Sequence, residues 1–377
     1  MNLIDFFKTT LAALLGLIIG VFSTVIPPSA NLVENISLPA SNTPIVIEKP
    51  VSTTTQKVIS EKEEPVIPPL IGKPVISIPI QFVEPPVEVP KPPNFSEINE
   101  KIRTSIVNII CTSKTGGLLK PISGSGVLID KRGVVLTNAH IGQYFLLKNY
   151  MIPDFLTCII RTGSPAYPRY TADLLYISPR WISEHASDIV VQEPLGTGQY
   201  DYALLLITGA IGDNSLPADF PFLPFDPTEN GHKKGSSVVL ASYPAGFLGG
   251  INIQQSLYIT SAVGTIDDIF TFDENTFDLL SVSGSVVAQK GASGGAIADI
   301  DSRLIGLIVT ATNADTTSER FLHAITVAHI ERSLNEEMGM NLESFMGNNL
   351  QERLQSFQQT LAPALTEVLV KELDKTN

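Results

Sequence analysis

The 377-residue chain has two cysteines, Cys111 and Cys158, and a single tryptophan. So few cysteines exclude a zinc ribbon and a disulfide-dense mini-scaffold; they leave one bridge, two buried thiols or a reactive thiol. A basic stripe is also missing. Acidic residues outnumber basic ones by 38 to 25, a formal net charge of −13. Phosphate binding needs concentrated Lys and Arg, so no nucleic-acid partner is expected. The acidity speaks for solubility and mutual repulsion and says nothing sharp about a substrate. Charge is scarce altogether, at 17% of residues against 44% hydrophobic. A sizeable core is therefore within reach, and residues 100–335 hold the Leu, Ile, Val and aromatics to build it. His185, His232, His323 and His329 have no metal-ligand spacing to a cysteine or a second histidine, so they read as surface or structural residues. No metal and no cofactor are expected.

Charge disappears entirely from Leu11 to Ile26. With Leu3, Ile4, Phe6 and Phe7 this apolar run approaches the ~20 residues that a membrane span needs. Lys8 precedes it and the next basic residue is Lys49, so the N-terminus stays cytoplasmic and the remainder is exported. A cleaved signal peptide is the alternative, although Pro28 spoils a small-x-small site ending at Ala30. Residues 1–26 are thus expected to be a signal anchor or signal peptide. The part that follows then lies at the cell envelope or surface, or is secreted after cleavage. From Pro27 to Pro93 come more than half of the 27 prolines. Each fixes φ and removes a donor, so residues 27–94 read as an extended linker.

After Ser96-Glu97-Ile98-Asn99-Glu100, a helix start, apolar β-type runs alternate with turn residues. IVNIICTS, GSGVLID, GVVLTNAH, FLTCIIRT, TADLLYISP and YDYALLLIT form one set. SSVVLASYP, SLYITSAVGTI, FDLLSVSG, GGAIADI, RLIGLIVTA and FLHAITVAHI form another. Two sets of about six short strands, with hardly any helix between them, predict an all-β pair of barrels.

Three short sequences carry chemistry: Leu136-Thr137-Asn138-Ala139-His140 after Gly124-Ser125-Gly126, Asp201-Tyr202-Ala203-Leu204-Leu205-Leu206, and Gly291-Ala292-Ser293-Gly294-Gly295-Ala296. In this order, each at a strand end, they resemble the trypsin-like (chymotrypsin-fold) serine peptidases, especially the bacterial HtrA/DegP-like and V8-like branch, over about Asn99 to Leu334. The resemblance implies two six-stranded Greek-key barrels within residues 95–335, at about 104–210 and 232–330. It implies a serine endopeptidase acting on proteins outside the cytoplasm through an acyl-enzyme, with His140, Asp201 and Ser293 as the triad. His140 would take the Ser293 proton, Asp201 would orient the imidazole, and the Gly291 and Ser293 amides would hold the oxyanion.

Rivals exist at each point. Asp188, in Ser187-Asp188-Ile189-Val190-Val191, competes with Asp201. Gly291-x-Ser293-x-Gly295 also fits the nucleophile elbow of an α/β-hydrolase, with Asp315 and His323 completing an esterase triad. That fold needs a helix straight after the serine, where this sequence reads as a turn between strands. A catalytically silent barrel used as a binding module is the third alternative.

The family's first barrel sets its opening strand beside its fourth, which would make Cys111 and Cys158 neighbours able to bridge, two buried thiols being the alternative. Its specificity pocket maps to Val287 and to Val309, Thr310 and Ala311. Without an acid at position 287, cleavage after small or medium apolar residues is expected. HtrA-like enzymes usually carry a PDZ domain after the protease, and the stretch after His329 is too short for one. Within residues 336–377, Leu350, Leu354, Phe357 and Leu361 form a helical stripe, with Pro363 expected to end or kink the helix. The stripe would pack on its own barrel or serve as a homo-oligomer seam.

Overall fold

The computed structural model describes residues 92–375, apart from 115–118, 192–195, 230, 247–249, 312–319 and 348. The expected span at 1–26 and nearly all of the linker at 27–94 lie outside the described residues. Among the described residues no helix is long and apolar enough to cross a membrane.

Asn94 caps helix α1 (Phe95–Ser105) by accepting from the Glu97 amide at 3.4 Å. Ile98 and Ile102, one turn apart, are buried beneath it. The helix gives way to strand β1 (Ile106–Ser113) where the β-branched run Ile106-Val107 begins; such side chains lose rotamer freedom in a helix and pack well on a pleated sheet.

Five strands follow in this half: β2 (Ile122–Asp130), β3 (Val134–Thr137), β4 (Leu156–Thr162), β5 (Tyr167–Ile177) and β6 (Ala203–Ala210). They close a barrel in the order β1-β2-β3-β6-β5-β4, with every neighbouring pair antiparallel. Closure abolishes edges, and Val107, Ile109, Val135, Ile160 and Leu205 are buried within the core. Asp130-Lys131-Arg132-Gly133 turns β2 into β3, with the Gly133 and Arg132 amides both donating to Asp130. Cys111 and Cys158 stand opposite each other in the β1–β4 register and are joined as a disulfide.

The second half corrects the expectation of a closed six-stranded barrel. It comprises β7 (Ser237–Ser242), β8 (Thr260–Thr265), β9 (Asp268–Phe270), β10 (Leu279–Ser283), β11 (Ala296–Ala298), β12 (Leu304–Ala311) and β13 (Phe321–Thr326). They form a seven-stranded sheet in the order β8-β7-β11-β12-β13-β10-β9. The extra strand arises because the run read as one strand from Ser256 to Ile266 bends and continues. The Ile266 amide donates to Ser236, beside β7, whereas the next amide, Asp267, donates to Ser281 on β10. Both edges of the sheet therefore belong to one bent run, and backbone continuity links them where hydrogen bonds do not.

Helices fill the connections. Helix α2 (Ala139–Leu146) follows β3, α3 (Pro179–His185) follows β5, and the short α4 (Gly250–Gln255) lies between β7 and β8. After β13 come α5 (Val327–Met338), α6 (Leu342–Phe345) and α7 (Leu350–Asp374). Helix α7 runs 25 residues with Pro363 inside it, so the expected break does not occur. An interior proline costs about 3 kcal/mol. The apolar stripe continues past it through Leu365, Leu369 and Leu373, all buried in the main core, and their burial offsets that cost. The helix lies along the first barrel, where Gln358 donates to the Leu174 carbonyl at 2.7 Å and the Phe357 ring meets Tyr176. Of the two readings of the stripe, packing on the chain's own barrel is the one the structure bears out for Leu350, Leu354 and Phe357.

The disulfide encloses a sequence separation of 47 residues. In the chain-entropy account, opening such a loop lowers stability by ~4 kcal/mol. Denaturant unfolding of oxidised wild type against the Cys111→Ala/Cys158→Ala variant checks this; coincident midpoints would show that the bridge contributes nothing.

Candidate active site

Strand β3 ends at Thr137, and Asn138 starts helix α2 in extended conformation, which puts His140 in the first turn of that helix. The neighbouring strand β6 begins just after Asp201, and Thr137 pairs with Ala203 across the two strands. That register brings the histidine and the acid together. Asp201 accepts twice from His140, from its amide at 2.9 Å through Oδ1 and from Nδ1 at 2.8 Å through Oδ2. Asn138 Nδ2 donates to the Asp201 carbonyl at 2.9 Å, fixing the acid's backbone as well. Because the carboxylate accepts, Nδ1 carries the proton and Nε2 is left with its lone pair. Nε2 bonds to no group among the described residues, and the imidazole is 33% exposed. Burial alone would lower the imidazole pKa, but the charge of Asp201 and its hydrogen bond outweigh that, and the pKa lies above its ordinary value.

Asp188 does not compete for this position. It lies in a short 3-10 helix at Ala186–Val190 and bonds to His185 Nδ1 at 2.8 Å. The α/β-hydrolase alternative loses its main element, since the nucleophile turn leads into strand β11 and not a helix. His323 lies on β13, and Asp315 is outside the described residues.

Ser293 sits between Gly291 and Gly294, both with positive φ (89° and 81°). At Gly294 a side chain would overlap the Ser125 carbonyl, and at Gly291 it would press on the Ala245 amide at 2.8 Å. These two positions need glycine for space as well as for φ. The turn is tied to the first barrel through Ser125: its amide donates to the Ser293 carbonyl at 2.7 Å and its hydroxyl to the Gly291 carbonyl at 2.9 Å. Thr137 Oγ1 in turn donates to the Ser125 carbonyl at 2.8 Å. Three hydrogen bonds, all at Ser125, therefore connect the serine turn to the strand that leads into His140.

The amides of this turn divide sharply. Ala292, Gly294 and Gly295 donate to Gln289, Ile308 and Ala292. The amides of Gly291 and Ser293 donate to nothing among the described residues. The Lys290 carbonyl accepts from the Ala245 and Gly246 amides at 2.7 and 3.1 Å, and in a trans peptide the Gly291 N–H points the opposite way. Two unpaired donors two residues apart, beside a serine hydroxyl, are suited to stabilise a developing oxyanion.

Ser293 Oγ donates to the Val309 carbonyl at 3.4 Å, not to the imidazole. That distance is beyond the usual 2.5–3.0 Å for hydroxyl donors, so the hydroxyl is weakly held. Of the residues expected to line a specificity pocket, Val287 is 0% exposed among Ala288, Ala292 and Ile308. Val309 is buried in the main core and lies over Gly198. Thr310 and Ala311 continue β12.

Sequence reasoning gave Ser125, Thr137 and Asn138 no role. All three are fully buried polar residues within otherwise apolar strand ends. Buried polar groups need partners, and that was the available signal.

A closed barrel and a seven-stranded sheet thus frame a glycine-bounded serine turn that is tied, through Ser125, to the strand leading into the His140–Asp201 pair. Residues 124–307 match the family described as "Trypsin-like peptidase domain". Over that region the chain is a trypsin-like peptidase domain. No curated protein matches the chain. Among solved structures, "Crystal structure of Deg5" aligns at 15% identity and a TM-score of 0.41, covering 63% of this chain and 90% of that one; so loose a superposition carries no weight for site or activity.

Replacing Asp201 by Asn removes the charge that raises the imidazole pKa and leaves the burial that lowers it. Imidazole NMR titration should place His140 above the ordinary ~6.5 in wild type and below it in Asp201→Asn. Equal titration midpoints would refute the assignment of Asp201 as its electrostatic partner.

Proposed function

We propose that the protein is a serine endopeptidase in which Ser293 is the nucleophile, His140 the general base and Asp201 the orienting acid. The observation that carries this is the pairing of His140 Nδ1 with Asp201, together with a serine turn whose Gly291 and Ser293 amides have no partner among the described residues. In the reaction Ser293 Oγ leaves the Val309 carbonyl and bonds to the carbonyl carbon of a peptide as its proton passes to Nε2. The carbonyl oxygen becomes an oxyanion held by the two amides. Collapse breaks the C–N bond, and His140 returns the proton to the leaving amine. A water, deprotonated by the same imidazole, then releases the acyl group and restores the serine.

Substrates are proteins or peptides, with cleavage after small or medium apolar residues, since no acid stands at position 287 to pair with Lys or Arg. An apolar N-terminal segment ahead of a proline-rich stretch supports an anchored enzyme working at the cell envelope or surface.

A fluorophosphonate probe should label wild type and leave Ser293→Ala unlabelled, with His140→Ala slowed by about 10⁴-fold or more. Labelling that survives Ser293→Ala would remove the nucleophile. In a peptide-library digest, cuts should follow Ala, Val or Leu; dominant cutting after Lys or Arg would overturn the pocket assignment.

A further inference from the structure

We propose that Asp226, His232 and Asp299 form a binding site for a divalent transition-metal cation of the zinc class, fastening the connection between the two halves to the β11–β12 hairpin. One ligand atom from each residue lies within 4.8 Å of the other two.

The scaffold of the site is fixed by backbone. Phe225 makes a parallel bridge to Leu304, with the Leu304 amide donating to Pro224 at 2.7 Å and the Asp226 amide to Leu304 at 2.8 Å. The connection thus enters as a short added strand beside β12, bringing Asp226 and, six residues on, His232 to the hairpin. Asp299 begins the hairpin turn, and its Oδ1 accepts from the Asp301 and Arg303 amides, each at 2.9 Å. Asp226 Oδ1 accepts similarly from the Thr228 amide at 3.0 Å. The Thr228 hydroxyl also bonds to the Asp226 carboxylate, whereas the second oxygen of Asp299 accepts from no group among the described residues.

The histidine sets this cluster apart. Three other histidines each bond an aspartate: His140 to Asp201 and His185 to Asp188 at 2.8 Å, His329 to Asp278 at 3.1 Å. His232 stands beside two aspartates and forms neither a hydrogen bond nor an ion pair with either among the described residues. Its Nε2 is fully buried and has no partner. A buried polar atom without a partner costs roughly 1–3 kcal/mol, and a bound ion is one of the few things that accounts for it. Asp299 is only 6% exposed.

Donor chemistry selects the ion. One imidazole and two carboxylates suit zinc-like cations with a fourth position for water, whereas calcium prefers six to eight oxygens. Ligand atoms bonded to zinc at about 2.0–2.1 Å sit roughly 3.3 Å apart, so the three side chains must draw together on binding. This spacing is invisible along the chain because Asp299 arrives from a different hairpin.

The test uses the full-length chain, stripped with chelator, and zinc alone as the probe. In competition with a chromophoric chelator, wild type should take up zinc, and zinc should raise its Tm by about 2–4 °C or more. His232→Ala and Asp226→Asn should each weaken uptake more than ~10-fold and lose the Tm rise. Metal-free His232→Ala should melt no lower than metal-free wild type, which separates loss of a ligand from loss of fold, and His185→Ala should bind as wild type does. Failure of wild type to take up zinc, uptake by His232→Ala equal to wild type, or an equal Tm rise with calcium would each overturn the assignment. Peptidase activity does not enter the readout.

Discussion

One residue of the first barrel, Ser125, holds the Ser293 turn of the second sheet. Its amide and hydroxyl donate to the carbonyls of Ser293 and Gly291, and the same hydroxyl accepts from the Tyr243 amide. Each bond is worth only about 1 kcal/mol net. Their effect is geometric, because they set a turn from one half against β2 of the other, next to the strand that delivers His140. Behind them the buried Asn108 donates to the Gly124 carbonyl at 2.7 Å and accepts from Arg161 Nε at 2.7 Å. Arg161 also donates to the Ile253 and Gln254 carbonyls at the end of α4. A single polar chain thus runs from the α4 loop through the first barrel to the serine turn.

The acid is held from a different direction. Tyr202, next to Asp201, is fully buried and reaches Ser333 and Glu337 on α5 through its hydroxyl. Ser178, at the start of α3, donates to the same Glu337 at 2.7 Å. On the other side of the acid, Tyr200 lies under the Arg180 guanidinium and beside the His329 ring. Helix α5 therefore braces the residues flanking Asp201, although it comes long after them in the chain. Burying such polar groups is costly unless every partner is met, so this bracing tolerates little displacement.

Much of this was legible in advance. The runs IVNIICTS to YDYALLLIT became the strands of the closed barrel because β-branched and apolar residues alternate with turn residues there. Leu136-Thr137-Asn138-Ala139-His140 and Asp201-Tyr202 marked the positions that β3 and β6 bring into hydrogen bonding. The bend at Ile266-Asp267 was not legible, since a strand that changes partners midway keeps the same residue types. The passage of α7 through Pro363 was hidden for another reason: local cost was visible, while the burial that outweighs it depends on the barrel beneath.

The chain's own order of residues determined the strand-forming segments, the glycine-bounded serine turn and the residues fit for proton transfer, because side-chain type and backbone freedom are local properties. Tertiary structure alone decided which polar groups meet: Ser125 with the Ser293 turn, Tyr202 with α5, and two aspartates around His232. Such meetings depend on strand register and on the packing of segments far apart along the chain, and no local pattern encodes a distance between them.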